Sequence, residues 1–326
     1  MRFIIYGAGA VGGVIGGRLH QAGREVALIA RGAHLAAIRQ QGGLILRDRT
    51  GDALLPIEAA ADPSEIAFRE GDVAFLCMKT QDTLEAVDAL RAAAGADIPV
   101  VCVQNGVESE RICLRRFAQV YAAPVRLPAS HLEAGIVQAD SYPVSGILDI
   151  GRYPSGVDAT AEAISAALAG ATFSSRPVPE IMRHKYTKLW LVNLNNAVEA
   201  ICGAGNSSRA IVRALRAEAE ACYAAAGIAH ASEAEDRERR GELLTMNPLT
   251  GNFRPGGSTW QSLSRGKRQL EADYLNGEVV LLGGLHGVPT PVNARLLRIA
   301  NQTAAKGSPP GSMTPAELEA VVLGGG

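Results

Sequence analysis

The sequence predicts an α/β domain with a doubly wound, mostly parallel sheet, followed by an all-α domain. Its 326 residues are enough for two domains. Short apolar runs alternate with helical patterns in the first half, and helical patterns alone continue through the second. We place the domains at 1–176 and 177–326, because the stretch SSRPVPEIMRH supplies prolines that are typical of a linker.

Composition and charge exclude several classes of protein. Hydrophobic residues make up 47% of the chain and charged residues 20%, which is too apolar for a disordered protein. The formal net charge is −1, so no overall field favours nucleic acid or an anionic membrane. No uninterrupted apolar run reaches the roughly 18 residues that a membrane span needs. The five cysteines form no CxxC pair, which favours a cytoplasmic location over a disulfide framework or a zinc site.

The first predicted element is a buried strand, MRFIIY, which leads directly into the loop GAGAVG. This loop matches G-x-G-x-x-G at Gly7, Gly9 and Gly12. A helical pattern and a second strand pattern follow within about 30 residues, which is the context of a dinucleotide-binding Rossmann domain. Gly7 permits a sharp turn, Gly9 lets the backbone approach a pyrophosphate, and Gly12 lets the helix pack on the strand. A glycine-rich turn without a ligand is the alternative.

The helix that starts in this loop predicts the pyrophosphate contacts. The N-terminus of a helix offers unpaired N–H groups and a partial positive charge, both of which favour a phosphate. We therefore expect the cofactor to contact the whole loop: Gly7, Ala8, Gly9, Ala10, Val11 and Gly12.

The end of the second strand predicts which cofactor binds. Folds that prefer NAD usually carry an acidic residue there, but here the strand ends at Ala30 and Arg31, and the nearby acid Glu25 opens the strand. The planar guanidinium of Arg31 matches a 2′-phosphate. The sequence thus favours NADPH, and a solvated surface arginine is the alternative.

Two further apolar strands each end near a polar residue. DVAFLCMK ends at Lys79, and PVVCVQNG ends at Asn105 and Gly106. Open parallel sheets bind ligands at the carboxyl ends of their strands, so we expect Lys79 and Asn105 to contribute to the cofactor site. Taken singly, each could be a strand cap or a turn residue.

The stretch KYTKLWLVNLNNAVEAI, residues 185–201, is predicted to be one helix with an apolar stripe and a polar face. At about 100° per residue, Asn195 lies about 20° and Asn196 about 80° from Lys188 around that helix. One face of the helix thus carries a cation at one end and amides at the other. We predict that this face lines a cleft, with Lys188, Asn195 and Asn196 as site residues; a solvated face is the alternative.

The order of these motifs resembles the ketopantoate reductase (2-dehydropantoate 2-reductase) family. The resemblance covers nearly the whole chain, through GAGAVGG, Arg31, MKTQ, QNGVESE, the helix at Lys188 and LEADYLNGE. It implies a Rossmann domain, an all-helical second domain, and NADPH-dependent reduction of 2-dehydropantoate to pantoate, a step towards coenzyme A. A homodimer is compatible with it.

The resemblance also implies roles for individual residues. The glycines would hold the pyrophosphate and Arg31 the 2′-phosphate, while Lys79 and Asn105 would lie along the cofactor and near the nicotinamide. Lys188 would be the catalytic acid, because its ammonium can stabilise and protonate the oxyanion that hydride transfer to a ketone leaves. Glu271 would be the second catalytic residue and would hold the substrate's hydroxyl groups. The implied substrate ligands are Asn196, and Ser258 and Thr259 in place of a serine pair that binds the carboxylate; Asn195 joins them by its place on the same helix face.

Three departures from the family pattern leave the substrate open. Val192 stands where the family often has an asparagine, Leu263 where some members have an aspartate, and Glu199 where a threonine is common. One alternative is therefore a paralogous reductase that acts on another branched 2-oxoacid or forms an opine-like amine. Another is a non-catalytic Rossmann protein that senses NADPH.

Three segments of the second half carry secondary expectations. The charge run EAEDRERRGE is interpreted as a solvated helix face. The stretch TMNPLTGNFRPGGST, residues 245–259, is long enough for a functional flap before the helix expected to carry Glu271. The tail KGSPPGSMTPAELEAVVLGGG is expected to be loosely held.

Overall fold

A computed structural model describes residues 1–246 and 256–324, which form two compact units. The first unit comprises Met1–Gln104, Ser109–Met182 and 234–246. The second comprises Asn105–Glu108, Arg183–Glu233 and 256–324. The predicted fold class, a mostly parallel α/β domain followed by a helical one, is confirmed. The predicted domain limits stay a prediction.

All described strands belong to the first unit. In chain order they are β1 (Arg2–Tyr6), β2 (Val26–Ile29), β3 (Leu44–Asp48), β4 (Gly51–Leu55), β5 (Glu58–Ala60), β6 (Asp72–Leu76), β7 (Val100–Cys102), β8 (Val120–Ala122), β9 (Ala129–Ser130), β10 (Ile136–Ala139), β11 (Ser141–Pro143), β12 (Gly146–Ile147), β13 (Gly151–Arg152), β14 (Phe173–Ser174) and β15 (Leu244–Met246). The main sheet has the order β13-β8-β7-β6-β1-β2-β5 and is parallel except for β13. A second sheet has the order β4-β3-β10-β9, and two further pairs join β11 to β15 and β12 to β14.

The helices follow in the same chain order. They are α1 (Ala10–Gln21), α2 (Gly32–Gln41), α3 (Thr83–Ala94), α4 (Ser109–Leu114), α5 (Ala159–Ala169), α6 (Ile181–Leu191), α7 (Asn196–Cys202), α8 (Arg209–Ala226), α9 (Glu233–Arg240), α10 (Ser258–Ser264), α11 (Asn276–His286), α12 (Pro291–Lys306) and α13 (Pro315–Leu323). The second unit contains α7, α8, α10 to α13, and α6 from Arg183 onward. Among the described residues, no helix is both long and apolar enough to cross a membrane.

The main sheet is buried on both faces, as a parallel sheet between layers of helices requires. Phe3 and Ile5 of β1 point into one apolar core, whereas Ile4 points into another on the opposite face. Side chains alternate between the faces of a strand, so an unbroken apolar run such as FII fills both cores. This is why the sequence lacks the polar alternation of a half-exposed sheet.

A buried polar network holds three helices of the second unit together. The carboxylate of Glu218 on α8 accepts from the backbone N–H groups of Val292 and Asn293, at 2.8 and 2.9 Å. The Asn293 Oδ1 atom in turn accepts from the amide of Asn276, which is fully buried. Pairing of this kind offsets the cost of removing polar groups from water.

Two expectations about the second half are wrong. The run at residues 233–242 is not only a solvated face, because Asp236 is buried in an ion pair with Arg126 and Arg239 binds both carboxylate oxygens of Asp149. A charge run looks the same in sequence whether its partners are water or distant residues. The tail is not loosely held either, because α13 begins with a capping box at Thr314 and fully buries Leu318.

The flap expected at residues 245–259 cannot be followed as a whole. Residues 247–255 lie outside the described part of the chain, and the expectation for them stays a prediction. The chain is described again from Gly256, just before α10. Beyond α10, Glu271 lies on a short 3-10 turn, Glu271–Tyr274, rather than on a regular helix as expected.

Candidate active site

The glycine loop lies between β1 and α1 in the first unit. Gly7 has a φ of +98°, a conformation that glycine adopts at no steric cost. Both the Gly7 and the Ala8 N–H groups donate to the Ile29 carbonyl at 3.0 Å. The first bond of the helix runs from the Gly13 N–H to the Gly9 carbonyl. The N–H groups just before Gly13 therefore have no acceptor within the helix, and no acidic side chain stands in its first turn.

The three glycines of the motif meet different surroundings. A Cβ atom on Gly12 would lie 2.3 Å from the Gly7 carbonyl oxygen and 2.9 Å from the side chain of Ile5. A Cβ atom on Gly7 would lie 2.8 Å from the Met78 backbone nitrogen. On Gly9 the nearest atom would be 3.8 Å away. Gly7 and Gly12 are thus required by packing, whereas the space over Gly9 fits the close approach of a pyrophosphate.

His34 anchors this loop, which the sequence analysis missed. Its Nδ1 atom accepts from the Gly135 N–H at 2.9 Å, so the neutral ring carries its proton on Nε2 and donates to the Ala8 carbonyl at 2.8 Å. Burial lowers the pKa of His34 below its ordinary value, which favours this neutral form. No motif could have identified His34, because its partners are 26 and 101 residues away.

The remaining predicted cofactor residues of the first unit follow β2 and β6. Arg31 is exposed at the start of α2, and its side chain has no hydrogen bond or ion pair with a described residue. Lys79 is half-buried and precedes a short 3-10 turn after β6. They lie at the carboxyl ends of the two strands that flank β1, as the strand patterns predict, while their roles stay predictions.

The stretch 185–201 is not one helix, contrary to the sequence analysis. The helix α6 ends at Leu191, a 3-10 turn covers Asn193–Asn195, and α7 starts at Asn196. The carbonyl of Leu191 accepts from Arg216, and that of Leu194 accepts from Asn276. The break is therefore stabilised from both sides, and asparagine, whose amide competes for backbone hydrogen bonds, suits it.

Lys188 is buried near the end of α6 and is paired with an amide. Only 8% of the residue is exposed, and its Nζ atom donates to the Asn105 Oδ1 atom at 2.5 Å. The amide nitrogen of Asn105 lies 3.4 Å from the hydroxyl of Ser258. Because the Asn105 oxygen accepts from the Lys188 ammonium, the amide nitrogen of Asn105 must be the atom that faces Ser258. All three residues belong to the second unit.

The start of α10 is held against α7 by an acid. The backbone N–H of Gly257 donates to Glu199 at 2.9 Å, so Glu199 fixes the turn that presents Ser258. Thr259 is 2% exposed, and its hydroxyl has no partner among the described residues. Asn196, the first residue of α7, is also buried beside Gly257. A buried hydroxyl without a partner is costly, and a ligand that accepts from Thr259 would remove that cost.

The turn that bears Glu271 packs against the segment that bears Asn105 in the second unit. It is 3% exposed and opens the turn that ends at Tyr274. Gly106, at a φ of +76°, approaches that turn so closely that a Cβ atom would lie 2.9 Å from the Tyr274 carbonyl. Gly106 is thus required where the segment bearing Asn105 meets the segment bearing Glu271.

Asn195 is directed elsewhere. Its Oδ1 atom accepts from the Ser207 hydroxyl at 2.8 Å, at the rim of a separate pocket between α6 and α8. The helical break turns it away from the position that a continuous helix would give it. The substrate-binding role predicted for Asn195 finds no support in its contacts and stays a prediction.

Models of known protein families match both halves of the chain. The model described as ketopantoate reductase PanE/ApbA matches residues 3–155, and the model of its C-terminal part matches residues 180–304. The chain belongs to the ketopantoate reductase family. Like the members of that family, it is an oxidoreductase that acts on CH–OH groups.

Individual ketopantoate reductases are similar along nearly the whole length. The chain is 28% identical over 306 residues to the 2-dehydropantoate 2-reductase of Archaeoglobus fulgidus, which covers 91% of this chain and 96% of the relative. A PanE/ApbA family ketopantoate reductase from Ralstonia eutropha JMP134 superposes with a TM-score of 0.79 at 31% identity, covering 94% of this chain and 99% of that one.

A D-mandelate dehydrogenase, solved with NADH and anilino(oxo)acetate, shares the fold. It superposes with a TM-score of 0.80 at 23% identity and covers 94% of this chain and 99% of its own. At that identity the likeness concerns the fold alone. Within the described residues of this ketopantoate reductase family member, no group of three His, Cys, Asp or Glu side chains could hold a metal ion.

Proposed function

We propose that this protein reduces 2-dehydropantoate to pantoate with NADPH, in the cytoplasm, as a step of pantothenate and coenzyme A synthesis. The observation that carries the proposal is the buried ammonium of Lys188 on the Asn105 amide, beside Ser258. A 2-oxoacid offers a carbonyl oxygen and a carboxylate, and the second unit supplies a cation and hydroxyl donors for them. The similarity to the two ketopantoate reductases named above supports the same assignment.

The residues of the first unit would hold the cofactor. The N–H groups of Gly9, Ala10, Val11 and Gly12 would bind the pyrophosphate, with Gly7 and Ala8 shaping the turn behind them. Arg31, exposed and without a partner among the described residues, would bind the 2′-phosphate that distinguishes NADPH. Lys79 would lie along the cofactor. A bound nicotinamide would supply the hydride.

Lys188 would act on the substrate's carbonyl oxygen. As that oxygen gains negative charge, the ammonium of Lys188 stabilises it and then donates a proton to it. The Asn105 oxygen accepts from the ammonium and so helps to hold it in place. No metal ion is needed for this chemistry, since the lysine supplies both the charge and the proton.

The rest of the substrate would be held by polar side chains around Lys188. The hydroxyls of Ser258 and Thr259 would donate to the carboxylate, and Thr259 would thereby gain the partner that its buried hydroxyl lacks among the described residues. Asn196 and Glu271 would bind the hydroxyl groups of the pantoate skeleton. We keep Asn195 as a more distant substrate contact, reached only if the 3-10 turn rearranges.

A second candidate is reduction of another branched 2-oxoacid. It is favoured by Val192, which is 48% exposed and puts an apolar side chain where the family often has an asparagine, a change that suits a less polar substrate. Leu263 gives no further support, because it is 3% exposed and packs inside the unit.

The deciding experiment is a substrate panel. Oxidation of NADPH is followed by the loss of absorbance at about 340 nm with ketopantoate and with a series of other branched and aryl 2-oxoacids. We expect the highest kcat/KM with ketopantoate. A higher value with an aryl or a longer branched 2-oxoacid would favour the second candidate. Turnover with none of them, despite NADPH binding, would contradict both and indicate a non-catalytic NADPH sensor.

Replacing Arg31 tests the choice of cofactor. In Arg31→Ala the affinity for NADPH should fall by roughly 10- to 150-fold, the equivalent of one charge-assisted hydrogen bond. The affinity for NADH should not change, because NADH lacks the 2′-phosphate. Both dissociation constants are measured by fluorescence titration of the reduced cofactor. An equal loss for the two cofactors would contradict the assignment of Arg31.

A further inference from the structure

A pocket of about 690 Å³ opens between the end of α6 and the first half of α8. Its volume falls in the range of small-molecule sites. Its lining comes entirely from the second unit, and it includes neither Lys188 nor Asn105 nor Ser258. The pocket therefore excludes the proposed catalytic group, although Val192 and Asn195 are part of its lining.

One wall of the pocket carries two guanidinium groups that have no partner among the described residues. Arg209 and Arg213 are one turn apart on α8 and are both exposed. Neither forms a hydrogen bond or an ion pair with any residue that the structure describes. Like charges at this spacing repel each other in a helix. An anion bound between them would remove that repulsion and accept from both.

The floor of the pocket is apolar and aromatic. The indole of Trp190 lies there beneath the guanidinium of Arg216, 5.6 Å from the ring centroid. Arg216 forms an ion pair with Glu233 at 3.1 Å and donates to the Leu191 carbonyl at 2.6 Å, while its buried Nε atom has no partner among the described residues. Its charge is thus already paired, unlike the charges of Arg209 and Arg213 within the described part of the chain.

The charge around the pocket is asymmetric. Glu220 also lines it, but stands about two turns beyond Arg213 on the same helix, at the far end from Arg209. Because Glu233 neutralises Arg216, the two arginines near the start of α8 leave an excess of positive charge at that end. The Asn195 side chain borders the same end, and its oxygen accepts from the Ser207 hydroxyl, so its amide nitrogen is the neutral donor there. The pocket thus has a cationic end and an apolar floor.

We propose that this pocket binds a phosphomonoester carried on a planar apolar group. A phosphomonoester brings nearly two negative charges and three acceptor oxygens at neutral pH, which match two arginine forks. A carboxylate brings one charge and would leave one guanidinium unpaired. The planar group lies on the apolar floor at Trp190. The proposal does not depend on the reaction that the protein catalyses.

Trp190 itself provides the measurement. The chain has two tryptophans, so in a Trp260→Phe protein Trp190 is the only indole. Phenyl phosphate is titrated at fixed ionic strength while the indole emission is recorded. We expect a saturable change in emission. Phenol, which lacks the charge, and inorganic phosphate, which lacks the ring, should each bind at least about tenfold more weakly.

Two double variants separate this site from general surface charge. Arg209→Ala/Arg213→Ala should weaken phenyl phosphate binding by about tenfold or more. Arg24→Ala/Arg298→Ala removes two other exposed arginines, with the same change in net charge, and should bind as the parent protein does. Circular dichroism establishes that both are folded, and calorimetric titration of the wild-type chain replaces the emission measurement if Trp260→Phe does not fold.

A third variant separates the pocket from the cofactor loop. Phenyl phosphate binding should be the same in Arg31→Ala as in the parent protein, because Arg31 belongs to the first unit. The proposal is overturned by equal binding in the two double variants, by phenol binding as tightly as phenyl phosphate, by the absence of saturable binding, or by its loss in Arg31→Ala.

Discussion

Gly9 and Gly12 stand three residues apart in one loop, but only Gly12 is surrounded so closely that a side chain would clash. Gly12 is closed in by the Gly7 carbonyl and by side chains of the strand layer, so packing alone excludes any side chain there. Gly9 has room around its Cα and an extended backbone that other residues can adopt. Packing among the described residues thus does not require glycine at this position, whereas the proposed pyrophosphate contact would.

This contrast predicts opposite outcomes for two alanine variants. Gly12→Ala should lower the free energy of unfolding by about 1–3 kcal/mol, because a methyl group is forced into a packed backbone contact. Gly9→Ala should unfold within about 0.5 kcal/mol of the wild type but bind NADPH at least about tenfold more weakly. Urea denaturation and cofactor titration measure the two effects. If Gly9→Ala binds NADPH normally, the loop does not hold a pyrophosphate.

His34 gives the loop a dependence on pH. Its pKa is lowered by burial, so the folded state prefers the neutral ring. The stabilisation is present above the ordinary pKa of about 6.5 and is lost as pH falls through the folded-state pKa, by at most about 1.4 kcal/mol per pH unit. We expect the stability difference between wild type and His34→Gln to shrink from about pH 7.5 to about pH 5.5. A difference that is constant with pH would show that His34 does not titrate in this way.

Single residues were predictable where a motif fixes them and not where a distant contact does. The glycines follow from the strand–loop–helix order, because the same backbone geometry recurs wherever a helix starts over a pyrophosphate. His34 did not, because its role depends on Ala8 and Gly135 being near it in space.

At the scale of elements, the helix carrying Lys188 was predicted, but its end was not. Apolar spacing identifies helical residues on both sides of Val192, so it gives no sign of a break between them. The break depends on two donors from other helices, Arg216 on the Leu191 carbonyl and Asn276 on the Leu194 carbonyl. The three asparagines were the only local indication, since this residue favours turns and helix ends. The angular argument for Asn195 failed for that reason.

The junction between α7 and α10 makes a further prediction. Glu199 accepts from the Gly257 N–H and so fixes the approach to Ser258. In Glu199→Ala the KM for the 2-oxoacid should rise by roughly 3- to 10-fold, about one hydrogen bond to a partly exposed group, while the NADPH dissociation constant stays the same. Glu199→Gln keeps an acceptor and should recover most of the loss. An unchanged KM in Glu199→Ala would mean that this contact does not position the substrate site.

At the scale of the whole chain, the sequence predicts an α/β part and a helical part, but it does not predict to which of the two units each short segment belongs. The α/β pattern and the helical pattern differ in period, so composition and spacing separate them. The turn Asn105–Glu108 nevertheless groups with the helical unit, and residues 234–246 group with the α/β unit. These assignments depend on contacts over long sequence distances, such as the 83 residues between Asn105 and Lys188.

Lys188 is the residue on which the catalytic proposal depends, and its replacement gives the most direct test. In Lys188→Ala, kcat with the best 2-oxoacid should fall by about 10²- to 10⁴-fold, the usual contribution of a positioned proton donor, while NADPH binds as in the wild type. Added methylamine should restore part of the rate by taking the place of the missing ammonium. A wild-type kcat in Lys188→Ala would contradict the account.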